Sequence, residues 1–160
     1  MAARTDFTTV QWETLISAGP SIALAVAASA GSAGQSETEL AAFVDLVART
    51  AADHASEESL LAHVVADTHG RLAAGWRPRA NEPYMDGLEA ARHAGAILEV
   101  AADPADAAAI RAWLLSAARA VAEASREGGV LGIGGEQVSA HERETIAAIA
   151  DALGGDDPTA

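Results

Sequence analysis

Cysteine is absent from all 160 residues, so disulfides, thiolate nucleophiles and Cys-ligated zinc or iron-sulfur centres are excluded. Lysine is absent too. Ten Arg stand against 23 acidic residues for a net charge of -13, a field that repels phosphate backbones and anionic lipid surfaces and argues against nucleic acid as a partner. Aromatic residues make up only 4%, so much of the apolar half of the chain is small and aliphatic, Ala above all. Long apolar runs are missing as well. The longest, Ile22 to Ala28, falls far short of the roughly 20 residues a membrane-crossing helix needs. Small residues at Ala25, Ala27 and Ala28 resemble a leader-peptide cleavage site, yet Asp6 and Glu13 stand where a leader would be basic. A cytoplasmic location is the expectation.

Two stretches share one plan. Ile22 to Arg49 and Ala120 to Leu153 each read as an apolar helix, a glycine-bearing turn, a Ser with Glu three residues on, and a second apolar-striped helix. Strong β-formers fall at helical rather than alternating spacing, and nothing reads as a strand. The expected fold is all-α, a single-domain bundle of six or seven helices over residues 1–155 built from two similar helix-turn-helix units, with residues 156–160 as a disordered tail.

Start and stop signals place the elements. Thr8 with Gln11 forms a capping box and Phe7 with Trp12 a hydrophobic staple, so a first helix is expected from Thr9 to Gly19-Pro20 and a short second one over Ser21 to Ser29. Ser36 with Glu39 opens the next, striped by Leu40, Phe43, Val44 and Val47. Ser56 restarts a helix bearing Leu60, Leu61, Val64 and Val65, with Gly70 available as a terminator or a continuation to Ala74. Gly75 to Pro83 is the expected irregular connection, followed by a helix from about Met85 to Ala101. Asp103-Pro104 starts a long helix that Gly128-Gly129 stops, and Ser139 with Glu142 opens the last, with Ile146, Ile149, Ala150 and Leu153 facing inward.

Chemistry-bearing patterns are sparse. His63 with Asp67 and Glu89 with His93 are pairs one helical turn apart, and facing each other they would form a two-His, two-carboxylate site for iron, manganese or zinc. Neither spacing matches the Glu-x-x-His pattern of di-iron bundles. No Ser-His-Asp set emerges, because the prominent Ser and Thr sit where helices need caps. Glycines 128, 129, 132, 134 and 135 lack the preceding strand and following Lys of a phosphate loop, and read instead as a sharp turn that tucks Val130, Leu131 and Ile133 inward. Arg71, Arg77 and Arg79 bring positive charge beside Trp76 and Tyr84, and Arg with aromatics is the composition of interface hot spots. The plainer reading is that Trp76 closes the bundle and the Arg groups pair with nearby acids. Trp12 and Trp113 are candidates for a self-association face or for the core.

The segments IALAVAASAGSAGQSETELAAF and AVAEASREGGVLGIGGEQVSAHERETIAAIADAL resemble the paired units of the TerB-like, tellurite-resistance helical family, over about half the chain. The loop VLGIGG, Val130 to Gly135, also resembles the closing FLGFGG-type loop of small bacterial helical proteins. The resemblance implies an all-helical, non-enzymatic or regulatory protein tied to stress or membrane-linked complexes, with metal held at acidic turn positions in the family. Here the turn Gly31 to Gln35 carries no acid and the second has only Glu127 and Glu136 beside it, so ligation is not carried over. The leading functional expectation is a soluble interaction or stress-related regulatory module without a cofactor, using a protein partner or self-association. The alternative is a metal-binding helical protein or metal-dependent enzyme using His63, Asp67, Glu89 and His93.

Overall fold

A computed structural model describes residues 3–29, 36–78, 80–127 and 140–154. A 3₁₀ turn, Arg4–Asp6, precedes α1 (Thr9–Ser29), α2 (Ser36–Asp53), α3 (Leu60–Ala73), α4 (Pro83–Ala101), α5 (Pro104–Glu127) and α6 (Ala140–Ala152). Among the described residues there is no strand, and the six helices form the expected bundle.

α1 is its axis. Leu15, Ile22 and Val26 are fully buried, and α1 packs on each of the other five helices. A helix that is apolar around its circumference can satisfy its side chains only when enclosed. Its opening follows the local chemistry. Thr8 N–H donates to Gln11 Oε1 at 2.9 Å while Gln11 N–H donates to Thr8 Oγ1 at 3.2 Å, and the Phe7 and Trp12 rings meet at 5.9 Å between centroids.

Three expected boundaries shift. α1 does not break at Gly19-Pro20 but runs to Ser29 with Pro20 inside it, so the expected short second helix is the second half of α1. Pro20 cannot donate to the carbonyl four residues back, Ile16 O, and that oxygen instead accepts from the buried Thr68 hydroxyl of α3 at 3.1 Å. α3 begins at Leu60 rather than near Ser56, because Ser59 supplies the cap, accepting from Ala62 N–H at 3.2 Å. Glu57 is engaged locally, its carboxylate 2.7 Å from His54 Nδ1. Gly70 is an interior residue of α3, and the stop is Gly75, at φ 84°, where Gly75 N–H donates to Leu72 O and Trp76 N–H to Arg71 O. α4 starts two residues before the expected Met85, with Pro83 in its first turn. The carboxylate of Asp86 accepts there from the N–H groups of Asn81 and Glu82. Asp103 caps α5 as expected, accepting from Ala105 and Asp106 N–H at 3.0 and 3.1 Å. The expected stop at Gly128-Gly129, the loop to Ile133 and the Ser139 cap lie outside the described residues.

Small residues set the closest approach. A Cβ added to Gly87 of α4 would lie 2.9 Å from Ser21 O and nearer still to the Ala25 methyl, and one on Gly95 would lie 2.7 Å from Leu153 O. Backbone thus meets backbone across α1 and α4. Trp12 and Trp113 both lie in this core, at 3% and 5% exposure, which removes them as an exposed self-association face.

Candidate functional site

The four residues of the expected metal set do not come together. Asp67 is turned toward α1, where its Oδ2 accepts from Trp12 Nε1–H at 2.8 Å and lies 3.4 Å from Arg4. The Arg4 guanidinium also lies over the Trp12 ring, 5.4 Å from its centroid. His63 turns its Nε2 toward Glu58 at 3.7 Å and buries an unpartnered Nδ1. Glu89 and His93 face each other one turn apart at 3.9 Å on the exposed side of α4. Among the described residues no three His, Asp or Glu converge on a point. Sequence spacing placed each pair on one helix turn, but the rotation of α3 about its own axis is set by the core stripe Val64, Val65 and Thr68.

The expected Arg and aromatic surface divides into separate parts. Arg71 of α3 pairs with Glu13 of α1. Trp76 is half-buried and packs against the core. Arg77 donates through Nη1 to Leu72 O at 3.1 Å and Trp76 O at 2.8 Å, which fastens the connection to the last turn of α3. Among the described residues it is not paired with a carboxylate. Arg79 lies outside the described residues. Tyr84 stands apart from these groups, in the first turn of α4.

There Tyr84 and Met85 are exposed by 41% and 55%. They line an open groove of about 510 Å³ that runs past Ala28 and Ser29 at the end of α1 to His141, Glu144 and Thr145 at the start of α6. Glu82 and Glu144 put acidic groups on its wall, and His141 Nδ1 lies 3.5 Å from Glu144. Exposed large side chains rimmed by charge are the makeup of an interface patch. Of the residues singled out by sequence, only Tyr84 reaches this groove. Met85 carried no separate signal, since an apolar residue in a helix's first turn reads equally well as core.

A second feature escaped the sequence reading altogether. Glu39, expected to reach back toward the Ser36 cap, is instead 1% exposed with neither carboxylate oxygen hydrogen-bonded. Burial, and after it the negative charge of Glu142, raises its pKa. Glu142 is itself 2% exposed at the corresponding place in the second helix pair. The signal available in sequence was the matching Ser-x-x-Glu in both units, and it pointed to caps.

No family model, curated protein or solved structure matches the chain.

Proposed function

We propose that this protein is a non-enzymatic helical interaction module whose contact surface is the groove between α1, α4 and α6, centred on Tyr84 and Met85. The observation that carries the reading is the pair of exposed, adjacent large side chains at the mouth of that groove, in a bundle whose other aromatic rings are buried or half-buried. Aromatic and Met side chains gain most from being covered, and the acidic rim favours a partner that presents basic groups at its edge. A stress-related regulatory setting, as the TerB-like resemblance implies, belongs to the same reading. The alternative metal-binding reading gains no support from the placement of His63, Asp67, Glu89 and His93.

The test is quantitative affinity capture with the wild-type chain and a Tyr84→Ser, Met85→Ser double variant, matched by circular dichroism and melting temperature. A partner, including a second copy of the chain, that is enriched by the wild type and lost from the variant supports the proposal. Identical recovery by both, with no self-association in sedimentation, overturns it.

A further inference from the structure

Sharing no lining residue with this groove, and independent of it, lies a smaller cavity of about 180 Å³. Its walls are Pro20 and Leu24 of α1, Leu40, Phe43 and Val44 of α2, Leu72 of α3, and Arg77 with Pro78 of the connection. Arg77 is the only one of these eight side chains able to donate a hydrogen bond. Its Nη1 donates to Leu72 O and Trp76 O, which holds the exposed guanidinium beside the cavity that Arg77 helps to line. Arg4 and Arg71 each lie beside a carboxylate, whereas Arg111, like Arg77, is held by backbone carbonyls. Among the described residues Arg77 has no carboxylate partner.

We propose that this cavity binds a small monocarboxylate with an apolar body on the order of six carbons, the body among Leu24, Phe43 and Val44 and the carboxylate on Arg77. Size supports the body: about 180 Å³ of largely apolar space, open to solvent on the Arg77 side, has room for a short aliphatic chain. Charge and shape support the head, because a guanidinium offers parallel N–H donors that match the two oxygens of a carboxylate. A backbone-anchored Arg is also preorganised, so little of its freedom is lost on binding. The second carbonyl contact of Nη1 belongs to the connection itself, so the site is assembled only when α3 has its native stop at Gly75.

Hexanoate, 1-hexanol and hexylammonium, titrated against the full chain and followed by NMR of the leucine and valine methyl groups, separate the contributions. Hexanoate is expected to give saturable shifts at Leu24, Leu40 and Val44, and hexanol to bind at least tenfold more weakly. Hexylammonium is expected not to saturate there. The order matters, since the protein's net charge of -13 taken alone would favour the ammonium probe over the carboxylate. Arg77→Gln should bring hexanoate down to the level of hexanol, and Val44→Phe, which fills the cavity, should abolish binding of both. Absence of saturable shifts with hexanoate, equal binding of hexanoate and hexanol to the wild type, or hexanoate binding unchanged in Arg77→Gln would each overturn the proposal. The three-probe comparison on the wild type decides the matter even if a variant fails to fold. Because the groove at Tyr84 is not involved, the Tyr84→Ser, Met85→Ser variant should bind hexanoate normally.

Discussion

Thr68 and Ile16 are 52 residues apart in the chain, yet the hydroxyl of the first donates to the carbonyl of the second at 3.1 Å in the buried interface of α1 and α3. The same hydroxyl lies 2.8 Å from Val64 O, so its one proton is shared between its own helix and α1. This matters because Ile16 O is the carbonyl that Pro20 leaves without a helical donor. The side chain of one helix thereby lets another continue through a proline.

Thr68→Val should cost about 1–3 kcal/mol, the penalty of leaving a buried carbonyl without a partner, at nearly unchanged volume. In a Pro20→Ala background the restored amide can donate to Ile16 O, and the same substitution should cost less. A double-mutant cycle by urea unfolding measures the difference. Additive effects would show that the two residues are not coupled in this way.

Asp67 holds Trp12 at the base of the bundle through a charge-assisted bond. Asp67→Ala should destabilise by roughly 1.5–3 kcal/mol, while Glu89→Ala, on an exposed 3.9 Å pair, should change stability by less than about 0.5 kcal/mol. Thermal melts of the two variants check the contrast. Were the four residues joined through a metal, their removal would have similar effects.

Glu39 gives the protein a pH dependence of definite sign. Its folded pKa lies above the ordinary 4.5, so its protonated form is favoured in the folded state. The associated stability is fully present below 4.5 and is lost as pH rises through the raised folded value. Glu39→Gln removes the ionisation. The variant's advantage over wild type should therefore be smallest in acid and grow as pH rises through the raised folded value. Chemical denaturation from pH 4 to 8 gives the curve, and parallel curves for the two proteins would contradict the assignment.

Gly87 is held by space rather than by backbone conformation. Gly87→Ala gains about 1 kcal/mol in helix propensity but must push α4 away from Ser21 O and Ala25 of α1. Overpacking of this kind costs about 1–3 kcal/mol, and here the far side is backbone, which cannot rotate away. A net loss of stability is expected. Gly70→Ala, where an added methyl meets nothing within 4 Å, should stabilise, and the opposite signs are readable in paired thermal melts.

Local signals proved sufficient wherever the partner lay within a turn. Thr8 with Gln11 and Asp103 with the amides of Ala105 and Asp106 are contacts of two or three residues' separation, and both helix starts follow from them. The inward stripe of Phe43 and Val47, and of Ile146, Ile149 and Leu153, was equally legible, because burial of apolar area follows helical spacing. Ser56 misled since Ser59, three residues on, offers the same hydroxyl to a chain equally able to begin there. The candidate site was legible only in part: Tyr84 stood out as one of six aromatic residues, while Met85 and the cavity at Arg77 are made by elements distant in sequence.

The sequence by itself determined that the chain is helical, where most of its helices begin, and which faces turn inward, since capping and amphipathic spacing act over one to three turns. Only the tertiary structure decided that Pro20 lies within a helix, that Asp67 serves Trp12 rather than His63, and that Glu39 is sealed from water. Each of those outcomes depends on an atom supplied or a volume closed by another helix, and no periodicity along one strand of chain encodes the rotation at which two helices meet.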